Sequence, residues 1–411
     1  MKFCLIGEKL SHSYSAKIHG LSGLNYSLVE LKKEKLPEFV KECEYDGFNV
    51  TIPYKKEIMK YLDRVSEQAA RVGAVNTVVK KNGRLFGYNT DVGGLDYTLR
   101  RKNIDLKGKN AVVLGSGGAS ATATALCKYK EAASVTVVGR NSAFNYGNCY
   151  SLSNTEIIIN ATPVGMYPKN GDCIIEPQNF KNLSAAVDCI YNPFETEFMY
   201  RAKKAGAVVS GGLPMLVEQA LLAQDIWLEK SHNESETESI IDLIKRSTLN
   251  LVLSGMPSSG KTTLGRTVAG LSGKEFFDVD EYVALVTGKS AKDIILSEGE
   301  ASFREKESRA IKELCVKSNA VISCGGGSVL FSENVKNLKS NGVIIFIDRK
   351  TELLTDENRP LSAASGIKNL YDMRIGTYLK TADERVVNDS SIENVSKEIL
   401  KKYEIACHKR G

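Results

Sequence analysis

The feature that most constrains the fold is the octapeptide GMPSSGKT at residues 255–262. It follows an apolar run, residues 250–254, that is typical of a buried strand, and it leads into a helical stretch. The pattern G-x-x-x-x-G-K-[ST] between a strand and a helix rings phosphate groups with backbone amides and supplies a lysine and a hydroxyl for Mg²⁺. The sequence therefore predicts a parallel α/β domain that binds ATP and Mg²⁺. The predicted nucleotide contacts are Gly255, Ser258, Ser259, Gly260, Lys261, Thr262 and Thr263, of which Lys261 is also catalytic and Thr262 also a metal ligand.

A second glycine turn, GSGGAS, follows a predicted strand at residues 111–114. Small residues at a helix amino terminus let backbone amides approach a pyrophosphate, although Ser120 replaces the last glycine of the dinucleotide pattern and a plain tight turn uses similar residues. The next strand ends at Arg140, where an acidic residue would hold the ribose of NAD. A guanidinium pairs with a 2′-phosphate, so NADP(H) is favoured. The predicted cofactor contacts are Gly115, Ser116, Gly117, Gly118, Ala119 and Arg140.

The length of 411 residues predicts two or three domains, and the rhythm of short apolar runs and helical stretches predicts parallel α/β folds. A strand begins at residue 250, so any linker near residues 245–249 is only a few residues long. A hydrophobic fraction of 42% with 25% charged residues excludes a disordered chain. We expect no internal repeat and no low-complexity tract.

The charge and the cysteines limit which partners and which cellular compartment we expect for the protein. A net charge of +6 is spread along the chain, which suits small anionic substrates and predicts no nucleic-acid partner. The nine cysteines form no C-x-x-C pair, which indicates reduced thiols. No apolar run approaches the ~18 residues of a membrane span, and the first residues do not resemble a signal peptide. We therefore expect a cytoplasmic protein with no membrane partner, and the sequence leaves its oligomeric state open.

Several polar turns follow predicted strands in the first half. Hydroxyls at Ser13 and Ser15 come after the first strand, and the segment NVTIPYK at residues 49–55 comes after another. Segments AVNT (74–77) and NTD (89–91) add amides, hydroxyls and a carboxylate. Taken singly, each of these segments has the residues of an ordinary turn. Their combined order along the chain is not expected of unrelated turns.

The ordered set resembles the shikimate dehydrogenase family over residues 1–245. The match continues through INATPVGM (159–166), VDCIYNP (187–193) and GGLPMLVEQA (211–220). The resemblance implies a two-lobed unit, with an α/β substrate lobe at residues 1–103 completed by 220–246 and a Rossmann-like NADP lobe at 104–219. It implies that Lys55 and Asp91 form the catalytic pair and that Thr162 and Gly212 join the cofactor site. The implied substrate contacts are Ser13, Ser15, Thr51, Asn76, Tyr191 and Gln219.

The second half resembles the shikimate kinase family over residues 249–405. Beside the phosphate loop, the resemblance rests on FFDVD (276–280), ASFRE (301–305), GGG (325–327), RPL (359–361) and an arginine at 374 followed by Tyr378. It implies a three-layer P-loop domain at residues 249–411. The implied roles are Asp278 for Mg²⁺, Asp280 for the attacking hydroxyl, Arg304, Gly326 and Arg374 for the substrate, and Arg359 as a catalytic lid residue.

Two segments depart from the family patterns. About fifteen residues separate Arg140 from the next strand, so segment 142–148 is predicted to be a loop in place of the usual crossover helix. The lid segment, residues 351–358, is more acidic than the arginine-bearing stretch of the family, which predicts weaker contacts on the adenine side.

The resemblances together imply an enzyme that reduces 3-dehydroshikimate with NADPH and then phosphorylates shikimate with MgATP. One alternative is a quinate or broad-specificity dehydrogenase joined to the kinase, which Arg140 and Ser13 disfavour. Another is a non-catalytic sensor of shikimate or quinate. A sensor could dispense with Lys55, Asp91, Lys261 and Thr262, yet all four are present.

Overall fold

Three β-sheets organise the protein, whose computed structural model describes residues 1–10, 13–354 and 366–410. The chain divides into two compact units, Met1–Ile241 and Asp242–Gly411. The first unit contains two of the sheets and the second unit contains one. The fold is α/β throughout, as predicted, and none of the helices among the described residues combines the length and apolarity that a membrane crossing requires.

The first sheet is mixed and has six strands. Its elements are β1 (Phe3–Gly7), α1 (Ser15–Leu21), β2 (Tyr26–Glu30), α2 (Leu36–Lys41), β3 (Gly47–Val50), β4 (Arg64–Val65), α3 (Glu67–Val72), β5 (Thr77–Lys81), β6 (Arg84–Tyr88) and α4 (Asp91–Arg101). The strand order is β2-β1-β3-β5-β6-β4, with β5 antiparallel to both of its neighbours. Asn82 and Gly83 both have positive φ, which is the turn chemistry that a two-residue hairpin between β5 and β6 requires.

The second sheet has five strands, all parallel. Its elements are β7 (Asn110–Leu114), α5 (Gly118–Tyr129), β8 (Ser134–Val138), β9 (Ile157–Asn160), β10 (Ala185–Asp188), α6 (Glu197–Lys204), β11 (Val208–Ser210) and α7 (Leu213–Leu228). The order β11-β10-β9-β7-β8 reverses beside β7, and ligands of such sheets bind at the carboxyl ends of the strands near the reversal.

The connection from β8 to β9 is a loop, as its length predicted. It contains one 3₁₀ turn, Cys149–Ser151, and no α-helix. Three aromatic side chains of this loop, Phe144, Tyr146 and Tyr150, pack on the apolar face of the sheet. Packed rings therefore cover the surface that a crossover helix would otherwise bury.

The central strand β7 of the second sheet is apolar on both faces. Along β7, Ala111 and Val113 join the cluster on one face while Val112 and Leu114 join the cluster on the other. This alternation explains the continuous apolar run at residues 111–114, because a central strand of a parallel sheet that is covered on both sides has few solvent-facing residues.

The third sheet is also five-stranded and parallel. Its elements are β12 (Asn250–Ser254), α9 (Lys261–Ser272), β13 (Glu275–Asp278), α10 (Val279–Thr287), α11 (Ala291–Glu298), α12 (Glu300–Cys315), β14 (Ala320–Ser323), α13 (Ser332–Ser340), β15 (Gly342–Asp348), α14 (Ile367–Thr381), β16 (Glu384–Val387) and α15 (Ile392–Lys409). The order β13-β14-β12-β15-β16 places β12, the strand before the phosphate loop, in the centre.

One helix, α8 (Glu234–Thr248), carries the chain from the first unit into the second. The sequence predicted a linker of a few residues near 245–249, but α8 has 15 residues and a single residue, Leu249, separates it from β12. Acidic residues occupy its first turn and Lys245 and Arg246 its last turn, which complements the helix dipole at both ends. The division between the units therefore falls within a regular helix.

The connection between α7 and α8 places a histidine, whose side chain is largely covered, between two carboxylates. His232 Nδ1 lies 2.7 Å from Asp225 Oδ2, and its Nε2 lies 3.2 Å from Glu218 Oε2. Glu218 also accepts a hydrogen bond from the hydroxyl of Thr237. The hydrogen bond to Glu218 is the largest cause that raises the pKa of His232 to about 9.

The position of His232 predicts a pH-dependent contribution to stability. Because its folded-state pKa lies above the unfolded value of about 6.5, the contribution is complete below pH 6.5 and is lost as the pH rises through 9. We expect His232→Gln to lower the free energy of unfolding by roughly 2–3 kcal/mol more at pH 6 than at pH 10. Urea unfolding of both proteins at the two pH values measures the difference, and an equal loss at both would contradict the prediction.

Candidate active sites

The first candidate site centres on a lysine and a carboxylate that are brought together from different elements. Lys55 follows β3 and Asp91 is the first residue of α4. Lys55 Nζ donates to Asp91 Oδ2 across 2.5 Å, and the two side chains are 19% and 9% exposed. An ion pair that is largely withdrawn from solvent is screened less than a surface pair. The predicted pair therefore exists as a direct contact.

Two predicted amide side chains fix this pair in place. Asn76 Nδ2 donates to Asp91 Oδ1 at 2.9 Å and approaches Gln219 Oε1 at 3.3 Å. The Oδ1 atom of Asn76 accepts from the backbone amide of Thr90 at 2.8 Å. Both carboxylate oxygens of Asp91 thus have a donor, and Gln219 is drawn in from α7, far along the chain.

The other predicted substrate contacts lie on segments that follow β1, β3 and β10. Ser13 Oγ accepts from the amide of Ser15 at 3.2 Å, and Thr51 packs so close to β1 that a Cβ at Gly7 would lie 2.6 Å from its methyl group. Tyr191 follows β10, and its ring lies 5.1 Å from that of Tyr14. Burial raises the pKa of Tyr191 to about 12, so its hydroxyl keeps its proton at neutral pH.

The glycine turn after β7 lies against this group. A Cβ built at Gly118 would be 3.6 Å from Lys55 Cδ, so the amino terminus of α5 adjoins the Lys55–Asp91 pair. Gly115 has a φ of +105°, and a side chain there would meet Thr162 Cγ2 at 3.1 Å. Ser120, which breaks the glycine pattern, donates its hydroxyl to the carbonyl oxygen of Gly115 at 2.7 Å. The departure from the pattern therefore closes the turn.

The remaining predicted cofactor residues flank the same turn. A Cβ at Gly139, which precedes Arg140, would lie 3.8 Å from Ser116 Cβ, so the end of β8 borders the turn. Gly117 has open space where a side chain would be, and Ala119 lies in the first turn of α5. Close packing leaves no room for a side chain at Gly212, since a Cβ there would lie 2.2 Å from the carbonyl oxygen of Cys189. A glycine-lined turn at a helix amino terminus, bordered by an arginine, fits a phosphorylated dinucleotide.

A buried aspartate under the cofactor site was not predicted. Asp188 Oδ1 accepts from Asn160 Nδ2 at 3.1 Å, and its Oδ2 accepts from the hydroxyl of Thr196 at 2.6 Å. Asn160 in turn holds the hydroxyl of Thr162 at 2.7 Å. Burial raises the pKa of Asp188 to about 6. Two signals in the sequence pointed to this residue: its position at the end of an apolar strand and its place in the segment VDCIYNP (187–193).

The second candidate site is the loop between β12 and α9. Gly255, Ser258 and Gly260 have positive φ, and a Cβ at Gly255 would lie 2.4 Å from the carbonyl oxygen of Ile347. Lys261 Nζ donates to the carbonyl oxygens of Gly255 and Met256 at 3.0 and 2.7 Å, so the lysine folds back over the loop. Ser259 is fully buried, and its hydroxyl has no hydrogen-bond partner among the described residues. These features fit a phosphate chain, which would supply the missing acceptor.

Hard oxygen donors lie beside this loop at the predicted metal position. Thr262 Oγ1 donates to Asp278 Oδ2 at 2.8 Å. Asp278 caps α10, because its Oδ1 accepts from the amides of Asp280 and Glu281. A hydroxyl and a fixed carboxylate suit Mg²⁺ held jointly with nucleotide phosphates. Thr263, the next residue, lines the same cavity of about 470 Å³.

The predicted acceptor residues converge on the glycine segment after β14. Asp280 Oδ1 lies 3.1 Å from where a Cβ of Gly325 would be, and Arg304 Nη2 lies 2.5 Å from that of Gly327. Arg374 Nη1 donates to the carbonyl oxygen of Gly326 at 3.2 Å. Side chains at these glycines would therefore displace the charged groups. Arg359, the predicted lid residue, lies outside the described residues.

Sequence reasoning missed the residue that holds Arg304. Glu307 is fully buried and accepts from Arg304 Nη1 at 2.8 Å and from the hydroxyl of Ser328 at 2.6 Å. Its place one helical turn after Arg304 was a detectable signal.

Known proteins resemble both units. The family model "Shikimate dehydrogenase substrate binding domain" matches residues 5–78. Shikimate dehydrogenase (NADP(+)) of Clostridium beijerinckii is 38% identical over 262 residues, covering 59% of this chain and 97% of that protein. The enzyme of the same name from Methanococcus maripaludis is 39% identical over 253 residues, covering 54% and 89%.

The chain belongs to the shikimate dehydrogenase family. The family model "Shikimate kinase" matches residues 257–404, so a shikimate kinase domain follows the dehydrogenase unit. Among solved structures, shikimate dehydrogenase 1 from Peptoclostridium difficile has 39% identity and a TM-score of 0.56, covering 60% of this chain and 98% of that one. The Thermus thermophilus shikimate dehydrogenase in complex with NADP(H) and shikimate has 32% identity and a TM-score of 0.54, covering 59% and 98%. The predicted families and fold class are confirmed.

Proposed function

We propose that this member of the shikimate dehydrogenase family catalyses two consecutive reactions with the residues described above. The first is the NADPH-dependent reduction of 3-dehydroshikimate to shikimate. The second is the MgATP-dependent phosphorylation of the 3-hydroxyl of shikimate. The observation that carries the proposal is that Lys55 and Asp91, held by Asn76 and Gln219, lie beside a dinucleotide turn in the same chain that presents a complete phosphate loop.

In the first reaction, Lys55 is the proton donor. NADPH held at the glycine turn after β7 would supply a hydride to the carbonyl carbon, so negative charge would develop on the carbonyl oxygen. Lys55 delivers a proton to that oxygen, while Asp91 holds the ammonium group at 2.5 Å. Ser13, Ser15, Thr51, Tyr191 and Gln219 orient the ring acid through their hydroxyl and amide groups.

In the second reaction, Asp280 orients the attacking hydroxyl of shikimate. Arg304 and Arg374 bind the substrate carboxylate, for which planar guanidinium forks are suited. Lys261 would contact the phosphates of MgATP and Thr262 would hold its Mg²⁺, and together these groups would neutralise charge on the transferred phosphoryl group. The alternative is a non-catalytic sensor, which would not need a proton donor at Lys55, a lysine in the phosphate loop or a hydroxyl at the metal position.

One incubation tests both reactions. We expect purified protein with 3-dehydroshikimate, NADPH and MgATP to form shikimate 3-phosphate, with one ADP released per NADPH oxidised. Omitting ATP should stop the sequence at shikimate, and omitting NADPH should prevent ADP formation until shikimate is added. Parallel assays with quinate and NAD⁺ measure substrate and cofactor preference. Ligand binding without turnover of either substrate would refute the proposal in favour of a sensor.

A further inference from the structure

The kinase cavity contains an arginine that the assignments above do not use. Arg349 immediately follows β15 and lines the cavity together with Lys261 and Thr262. Its Nη1 donates to the carbonyl oxygen of Ser258, within the phosphate loop, at 3.3 Å. The guanidinium is thereby fixed against the rim of the loop.

The hydrogen-bonding capacity of Arg349 is not exhausted. Its Nε is buried and has no hydrogen-bond partner among the described residues. The neighbouring carboxylate, Asp348, is already engaged by Arg385 at 2.5 Å and by the hydroxyl of Tyr371 at 3.1 Å. Within the described ranges no carboxylate forms an ion pair with Arg349. A half-buried cation that has no counter-ion among the described residues favours an anionic ligand.

The sheet topology separates this arginine from the acceptor residues. Asp280 follows β13 and Gly325 follows β14, on one side of β12, whereas Arg349 follows β15 on the other side. Asn388, which follows β16, also reaches the loop and donates to the carbonyl oxygen of Ser259 at 2.8 Å. The acceptor is therefore assigned to the β13–β14 side, and the nucleotide extends from the loop over the β15–β16 side.

We propose that Arg349 binds the phosphate chain of the nucleotide, with its guanidinium anchored by Ser258 and its free N–H groups directed to phosphate oxygens. Guanidinium forks match phosphate geometry, and a fixed cation beside Lys261 adds to the positive potential of the loop. The inference rests on the proposed kinase function for the identity of the nucleotide. It assigns this residue to ATP binding and leaves shikimate binding to other groups.

The test compares Arg349→Gln with Lys350→Gln in the full-length protein. Lys350 is the adjacent exposed residue, so its variant removes the same charge from the same segment without touching the cavity. We expect Arg349→Gln to raise the Kd and KM for MgATP about 10- to 100-fold, because a charge-assisted hydrogen bond is lost. KM for shikimate and the rate of NADPH oxidation should stay within about twofold of the wild type, and Lys350→Gln should resemble the wild type throughout.

Two further measurements separate phosphate binding from other roles. The inhibition constant of inorganic tripolyphosphate, tested as a competitor of ATP, should rise in Arg349→Gln by the same factor as the Kd for MgATP. An unchanged inhibition constant for tripolyphosphate would assign the arginine to the base and overturn the proposal. Arg349→Gln could instead lower the unfolding temperature of the nucleotide-free protein and weaken shikimate binding as much as MgATP binding. That result would show that Arg349 only stabilises the loop through Ser258, and it would also overturn the proposal. If the wild type binds MgATP but does not phosphorylate shikimate, the proposed function fails while the binding comparison still decides the role of Arg349.

Discussion

Replacing Lys55 by alanine should lower kcat for the reduction of 3-dehydroshikimate by about 10²- to 10⁴-fold, the usual worth of a positioned general acid. The physical reason is the short contact in the structure, since Asp91 holds the ammonium group at 2.5 Å and no other cation among the described residues pairs with that carboxylate. The initial rate of NADPH oxidation under substrate saturation measures the effect. Phosphorylation of added shikimate should be unchanged.

The adjacent exposed lysine provides a matched control for this experiment. Lys56→Ala removes the same side chain one position away and should leave NADPH oxidation within about twofold of the wild type. Because Lys55→Ala leaves Asp91 without its cation, its unfolding free energy should be measured in parallel. A folded Lys55→Ala variant that retains wild-type kcat would exclude Lys55 as the proton donor.

Replacing Lys261 by alanine should have the opposite selectivity. We expect kcat for shikimate phosphorylation to fall by about 10²- to 10³-fold, comparable to the loss of one preorganised donor at a transition state with developing charge. The reason is the position of Nζ over the phosphate loop, where it contacts the carbonyl oxygens of Gly255 and Met256. ADP release in the presence of added shikimate is the measurement, and NADPH oxidation should be unaffected.

Two companion variants keep this second experiment interpretable. Lys292→Ala, at an exposed position of α11, controls for the loss of a cation from the kinase domain. Lys261→Arg keeps the positive charge but changes the geometry of the donors, so it should fold normally and still lose most of the activity. Loss of NADPH oxidation in Lys261→Ala, or of ADP release in Lys55→Ala, would contradict two separate active sites.

The two glycine turns differ in how far their conformation could be predicted from the sequence. GMPSSGKT predicted its own local conformation, because a glycine pattern that must free backbone amides leaves few alternatives, and the structure shows positive φ at Gly255 and Gly260. GSGGAS was less decisive in the sequence. Its fit depends on Ser120 closing the turn onto Gly115 and on the approach of Gly118 to Lys55, and neither contact is visible from residue spacing.

The sequence predicted the connection between β8 and β9 correctly, because its length limits which structures it can form. About fifteen residues between Arg140 and β9 allowed a loop, and a loop with one 3₁₀ turn is present. The linker between the units was less well predicted, since α8 extends to Thr248 and leaves only Leu249 before β12. The sequence predicted a short linker near residues 245–249, but it did not show that a regular helix continues to Thr248, because helix ends depend on tertiary packing as well as on propensity.

By itself, the sequence determined the α/β class, the two families and the residue types of both sites, because periodicity and glycine placement are local and act over a few residues. Tertiary structure alone decided which of those residues meet. Lys55 and Asp91 are 36 positions apart, and Asn76 reaches Gln219 over 143 positions. Glu307 under Arg304, Asp188 under Thr162 and Arg349 at Ser258 became functional candidates only through burial and distance. Those quantities are set by the packing of whole sheets, which no short segment encodes.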